Sequence, residues 1–321
     1  MTDYNQAELG RQAKNLGFVR DTFEKVCRLT DVLRFFEQDE ILSRSLALKG
    51  GTAINLIIFD LPRLSIDIDL DYCGHSDRQK MLADREIIAA HINKYMKANG
   101  YTLSWKTKTS YALDSFVYSY INCSKMNDNI KIEINYVLRN HVLPIQRKKI
   151  NLPGLNSKLE IQSVAAIEIF ASKITAFNDR AAPRDLFDIY NMILSDIFSR
   201  NDYEMLRKCS IFYYAINTSA DSVDCFGKKV INISQHQIKT DLLPVLGNRE
   251  FFDAGNALGK CTEYLSQLLT LTKKEQMFLS DFSQKKYRPE LLFDDRSIIE
   301  RIERHPMALW KCRQTAVKYD I

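Results

Sequence analysis

Glycine is scarce in this chain, at 11 of 321 residues, where about 7% is usual. Only Gly50 and Gly51 are adjacent, so one place stands out as a backbone that no side chain obstructs. Seven cysteines form no CxxC pair and their number is odd. That excludes a zinc ribbon and argues against a disulfide framework, and free thiols in a reducing cytoplasm are expected. The five histidines share no ligand spacing. The N-terminus has no apolar signal core, and apolar runs such as Ile57-Ile58-Phe59 fall far short of the ~20 residues that span a bilayer. A cytoplasmic protein with no membrane partner is expected. A strong charge of either sign is also missing. The net charge of +5 permits contact with nucleic acid but is weaker than the footprint of a dedicated binder.

What is present is an ordinary globular composition, 45% hydrophobic and 26% charged, which excludes a largely disordered chain. Its length suits two domains, and there is neither an internal repeat nor a low-complexity tract. Residues 4–45 carry apolar positions at three- and four-residue steps and read as helical. A short strand at 46–48 runs into Lys49-Gly50-Gly51-Thr52, and a short helix over 53–59 is stopped by Pro62. Residues 66–72 alternate strictly as a strand. Residues 77–99 form a helix ended by Gly100, and strands are expected over 101–107, 116–123 and 130–137. From Ser163 the pattern is almost all helical, with helices over 163–179, 185–197, 202–215, 256–271, 273–283 and 306–318. The sum is an α+β fold with a mixed β-sheet domain over 1–155 and an α-helical domain over 156–321.

The strand at 66–72 carries the first chemistry. Asp67 and Asp69 stand two apart, so both carboxylates project from one face. Carboxylates this close repel unless a positive charge lies between them, and Mg²⁺ is commonly held by one or two carboxylates plus substrate phosphates. Asp71 shares the face, as a third ligand or as a solvent-facing acid. The spacing alone is weak, since 40 acids in 321 residues yield about five such pairs by chance, the usual risk of a short motif. The residues before it strengthen the reading. Gly50-Gly51 lets a backbone approach a ligand closely, the helix start offers free N–H groups to a phosphate, and Thr52 is placed to cap that helix and donate to a phosphate oxygen.

A second cluster lies on the helices. Lys173 and Arg180 are seven apart and share nearly one helix face. Pro183 ends that helix, and Arg184-Asp185 opens the next, where a carboxylate is electrostatically favoured. Asp188 follows one turn later. Spacing does not choose between Asp185 and Asp188. A capped helix hairpin with ion pairs accounts for these residues equally well.

Residues 48–71, L-K-G-G-T-A-I-N-L through R-L-S-I-D-I-D-L-D, resemble motif I of the polymerase-β-like nucleotidyltransferase superfamily. The spacer with Arg63-x-Ser65 is similar to the AbiEii/AbiGii-type toxin branch. The segment 168–190, with E-x-F-A-x-K ahead of P-R-D-L-F-D-I-Y, is similar to the second signature of that branch, and residues 304–311 also look like it. The resemblance implies a metal-dependent nucleotidyltransferase toxin of a bacterial toxin–antitoxin or phage-defence system. Asp67, Asp69 and Glu133 would hold Mg²⁺ or Mn²⁺, with Glu133 as third carboxylate or as base for the attacking hydroxyl. Lys49, Gly50, Gly51 and Thr52 would hold the nucleotide, with Arg180, Arg184 and Asp188 as further contacts. Lys173 and Asp185 would be active-site residues, Lys173 neutralising the leaving pyrophosphate. The implied partners are a nucleoside triphosphate (NTP), an RNA acceptor such as tRNA, and a separately encoded antitoxin. Transfer to a protein or small molecule, and a catalytically silent nucleotide-sensing module, are the alternatives.

Two features lead elsewhere. Gly255 through Cys261 departs from a P-loop in having three residues between its glycines and Cys where Mg²⁺ needs Ser or Thr. The run Arg147-Lys148-Lys149 is a solvated surface or, if the neighbouring acidic strand lines a cleft, an RNA-steering patch.

Overall fold

The computed structural model describes residues 4–151, 159–217, 232–247 and 252–313. The chain divides into two compact units. The first holds 1–139, 145–164 and 239–251, and the second holds 140–144, 165–238 and 252–321. Alternation and periodicity predict a single boundary near 155, whereas the chain divides after Val164 and each unit also takes a short segment from the other side of that boundary.

The first unit begins with helices α1 (Gln6–Leu16), α2 (Arg20–Gln38) and α3 (Glu40–Ser45). Gly17 in the left-handed region ends α1, and Asp39 caps α3 through the Ile41 and Leu42 amides, so the expected 4–45 stretch is three helices. Strand β1 (Leu46–Lys49) leads into the four-residue helix α4 (Gly50–Ala53), which continues as a wide turn over Ile54–Ile58. Then come β2 (Asp67–Tyr72), α5 (Arg78–Ala98), β3 (Thr102–Leu103), β4 (Lys108–Thr109), β5 (Leu113–Ile121), β6 (Asn127–Asn135), β7 (Gln146–Lys149) and β8 (Glu160–Ser163). They form one mixed sheet in the order β3-β5-β6-β2-β1-β8-β7, with β4 also on β5. The strand expected over 101–107 is only two residues long, because a turn at Ser104–Thr107 interrupts it. β7 is a strand where only a basic run was read, and β8 lies in the stretch assigned to the helical domain, overlapping at Ser163 the helix expected over 163–179, which instead begins at Ala166. In β7 all four residues are exposed, and Arg147 bonds Glu37, so the basic run is a charged edge strand of the kind that resists further pairing.

The sheet has one buried and one open face. Ile68, Leu70 and Tyr72 of β2, Ile130, Ile132 and Ile134 of β6, and Phe116, Tyr118 and Tyr120 of β5 point into the core. Polar ties fasten α5 to that face. Tyr72 donates to Asp84 at 2.6 Å and Tyr118 to Asn93 at 2.7 Å. Phe35 of α2 stacks on Tyr95 of α5 with ring centroids 3.9 Å apart. The residues between the buried ones line the open face, among them Asp67, Asp69 and Glu133.

The second unit is helical, as expected: α6 (Ala166–Arg180), α7 (Pro183–Leu194), α8 (Arg200–Asn217), α9 (Gln235–Gln237), α10 (Ala254–Leu268), α11 (Lys273–Ser283), α12 (Arg296–Ile302) and α13 (Pro306–Arg313). The P-loop-like glycines fall inside α10. The last five residues of the helix expected over 306–318 lie outside the described residues, as does Cys225. The six described cysteines are free. Among the described residues no helix is long and apolar enough to cross a membrane.

One fully buried carboxylate organises this unit. Glu168 accepts from the Val142 and Leu143 amides at 2.9 and 2.8 Å and from the Tyr213 hydroxyl at 2.6 Å. Three donors, two of them buried, thus share one acceptor group, and stranding them is costly. Glu168→Ala is expected to destabilise the protein by about 3 kcal/mol or more, read as a lower denaturation midpoint in urea.

Candidate active site

The open face of β2 and β6 gathers the acidic residues by register. The two strands are parallel neighbours, with Asp67 opposite Lys131 and Asp69 opposite Glu133. Opposed residues on adjacent strands present their side chains to the same face. Asp67 and Asp69 are half-buried. Lys131 was not singled out from the sequence, yet its ammonium lies 2.9 Å from Glu133 Oε1. Burial works against its charge, but the bond to Glu133 and the fields of Glu133, Asp67 and Asp69 outweigh that and raise its pKa. Along β6 Lys131, Glu133 and Asn135 alternate with buried isoleucines, and the pairing of β6 with β2 places Lys131 among the carboxylates.

The glycine turn meets the acidic strand directly. Gly50 has φ +66, and a Cβ there would collide with Asp69 Oδ2 and stand 3.0 Å from the Asp69 Cβ and Cγ. A Cβ at Gly51 would lie 2.9 Å from Arg63 Nη2 and 3.0 Å from Ser65 Oγ. The glycines therefore admit this chain's own side chains: a carboxylate seated on Gly50, and a guanidinium and a hydroxyl beside Gly51. Arg63 is almost fully buried and donates to the Leu64 carbonyl at 3.1 Å. Its loop is held by the Leu64 amide, which donates to the Val245 carbonyl at 2.8 Å, and by a bridge between Arg63 and Leu246. Nothing in local spacing announces that tie, because its partner is far along the chain.

Three expectations change in this geometry. Thr52 is fully buried. Its hydroxyl donates to the Asp67 carbonyl and lies 3.0 Å from Ser65 Oγ, so it ties α4 to β2 instead of capping the helix. Asp71 is buried and bonded to the Lys49 ammonium, so it is not a solvent-facing acid, and Lys49 is engaged there. No three His, Cys, Asp or Glu side chains among the described residues are gathered to hold a metal ion. The face is therefore not a closed protein cage. The expected trio of Asp67, Asp69 and Glu133 is thus not assembled as a three-carboxylate site, and Glu133 is instead paired with Lys131.

In the second unit the α6–α7 hairpin brings the other expected residues together. Ala181 in the left-handed region ends α6, and Pro183 opens α7, a position where its missing N–H costs nothing. Lys173 Nζ lies 2.8 Å from Asp185 Oδ1 and 3.1 Å from Asp188 Oδ2. Arg180 donates to Asp185 through Nε at 2.8 Å and Nη2 at 3.1 Å. Both aspartates are buried, and Arg180 is exposed. Lys173 thus bridges both acids, and Asp185 differs in also taking Arg180. Burial opposes the charge of Asp185, but Lys173 and Arg180 outweigh it and hold its pKa below the usual carboxylate range. Arg184 is half-buried beside them.

The profile of "Nucleotidyl transferase AbiEii toxin, Type IV TA system" matches residues 34–251, a span that includes both signatures. The chain belongs to the AbiEii toxin family. This AbiEii-family chain is accordingly a nucleotidyltransferase toxin of a type IV toxin–antitoxin system, and family membership implies an NTP substrate and an antitoxin. Among solved structures it is similar to MenT4, nucleotidyltransferase toxin Rv2826c from Mycobacterium tuberculosis H37Rv. That likeness has a TM-score of 0.62 at 18% identity and covers 96% of this chain and 99% of that one. It shows a shared fold. The search of curated proteins found no match.

Two outcomes follow. Gly50→Ala puts a Cβ both at positive φ and against Asp69, and is expected to cost about 1–3 kcal/mol of stability, measured by chemical denaturation. For Asp185, a carboxylate whose pKa is lower folded than unfolded stabilises the fold above its unfolded value of about 3.9 and loses that contribution as pH falls through the folded value. The stability gap between wild type and Asp185→Asn should therefore be full near pH 7 and shrink below about pH 4, read from urea midpoints across pH.

Proposed function

We propose that this toxin transfers a nucleoside monophosphate from an NTP to a hydroxyl of an RNA acceptor, tRNA being the leading candidate, with release of pyrophosphate. The observation that carries this is the placement of Asp67, Asp69 and Glu133 on one open sheet face, with Asp69 seated on the Gly50 turn. Asp67 and Asp69 are the residues that would hold Mg²⁺ or Mn²⁺. When bound, such a cation neutralises triphosphate charge and favours the ionised form of the attacking hydroxyl.

The chain's own residues do the rest. Gly50 and Gly51 let Asp69 and the buried Arg63 guanidinium pack directly against the turn, which fixes the Asp69 carboxylate beside the backbone that the nucleotide would approach. Glu133 is the acid nearest in register to Asp69, and Lys131 holds it by an ion pair. That pairing suits Glu133 to orient the acceptor hydroxyl or take its proton. In the transfer the hydroxyl oxygen bonds to the α-phosphorus, the α–β phosphoanhydride bond breaks, and the pair of electrons leaves with pyrophosphate. In the helical unit Lys173 and Asp185 are the signature residues we assign to the reaction, with Arg180, Arg184 and Asp188 beside them on the same hairpin. Defence against phage is the biological role consistent with the family resemblance.

Asp67→Asn and Asp69→Asn remove a charge without changing side-chain size. Each is expected to lower transfer of labelled nucleotide to total RNA at least about a hundredfold, in line with the loss of a transition-state electrostatic contact, while circular dichroism stays unchanged. Full activity in both would overturn the assignment. Label appearing in protein with none in RNA would replace the acceptor class.

A further inference from the structure

The carboxylates divide the open face of the sheet into two sides. The Gly50–Gly51 turn follows β1, which lies on one side of β2, and β6, β5 and β3 lie on the other. On that second side is a cavity of about 530 Å³, within the size range of small-ligand sites. Val117, Ser119, Asn127 and Asn129 belong to its floor, and Trp105 and Lys106 to its rim. Register ties the cavity to the acids. Val117 pairs with Lys131, which pairs with Asp67, and in the next row Ser115 pairs with Glu133, which pairs with Asp69. At about 4.8 Å per strand, the Val117 end of the floor is about 10 Å from Asp67.

Trp105 is the exceptional residue here. It is 89% exposed, yet it is not on a loose loop. The Ser104 amide donates to the Val117 carbonyl at 2.7 Å, the Thr107 amide to the Ser104 carbonyl at 3.0 Å, and the Val117 amide to Thr107 Oγ1 at 3.0 Å. The turn bearing Trp105 is thus fastened to β5 at both ends. The Lys106 ammonium lies 5.9 Å from the indole ring centroid, and Lys108 is exposed on β4. The cavity's acid, Asp128, is paired with Lys25 at 3.0 Å. An exposed indole on a fixed turn, the Lys106 ammonium beside it, and a lining that includes the Ser119 hydroxyl and the Asn127 and Asn129 amides match single-stranded RNA. Its bases stack on aromatic rings, its phosphates need cations, and its 2′-hydroxyls accept and donate.

We propose that this cavity is the acceptor subsite, in which the single-stranded end of an RNA stacks a base on Trp105 and runs along β5 and β6 toward the carboxylates. The inference rests on the nucleotidyltransferase reading above and places donor and acceptor on opposite sides of Asp67 and Asp69.

The test uses the full chain. The sequence has two tryptophans, so Trp310→Phe leaves Trp105 as the sole indole reporter. A single-stranded oligoribonucleotide of about ten nucleotides, within the range of known single-strand sites, is titrated without NTP. Saturable quenching is expected, with affinity falling as salt rises. In the wild-type background, Trp105→Ala should weaken binding about tenfold by fluorescence anisotropy, Trp105→Phe should keep most of it, and NTP affinity should be unchanged in both. Absence of quenching, with equal RNA affinity in Trp105→Ala, overturns the subsite. Quenching by NTP alone also overturns it, because the cavity would then hold the donor. Binding is read without transfer, so those results leave the carboxylate assignment standing. Full transfer by Asp67→Asn and Asp69→Asn would instead overturn the carboxylates and leave the binding result intact.

Discussion

The two-residue pleat of β2 is the constraint on which the rest of the first unit depends. Ile68, Leu70 and Tyr72 are drawn into the core, so the intervening residues have no choice but the other face. A shift of one residue would bury three aspartates and expose three large apolar groups. The hydrophobic effect thus holds the acids on the open face, even though a cluster of like charges opposes its own formation. The surroundings offset that repulsion. Lys131 stands among Glu133, Asp67 and Asp69, and Lys49 takes Asp71. Two of the four acids on this face are thereby tied to lysines.

Much of this was legible in the residues. The alternation at 66–72 reads directly as a one-sided strand, and the single Gly-Gly pair marks the turn that meets it. Most helices of the second unit follow from their apolar spacing, whereas the breaks that Gly17 and Asp39 introduce into the 4–45 stretch emerge only from the structure. What spacing does not carry is pairing between distant segments. Lys131 looks like any lysine on a half-exposed strand until β6 is laid beside β2. Arg63 looks like a loop residue until residues 245–246 are brought to it. Thr52 reads as a cap because Thr often is one, whereas its depth in the fold turns its hydroxyl toward β2.

The two units solve the same electrostatic problem differently. On the open sheet face the charges stay partly hydrated, and the acids remain able to meet a ligand. In the α6–α7 hairpin Asp185 and Asp188 are buried, and such charges persist only when paired. Lys173 spans both acids, and Arg180 closes on Asp185 from the exposed side. A cluster so mutually dependent holds the angle between its helices, and removing one member leaves another charge buried without its partner, which is the expensive outcome.

The tie between the Arg63 loop and residues 245–246 also orders events in time. Domains generally fold as they emerge during synthesis, N-terminal parts first. The strands bearing Asp67, Asp69 and Glu133 can pair early, but the loop that sets Arg63 beside Gly51 has no anchor until a segment more than a hundred and eighty residues downstream has left the ribosome. A chain that ends before Val245 therefore lacks the clasp that sets the Arg63 guanidinium beside Gly51.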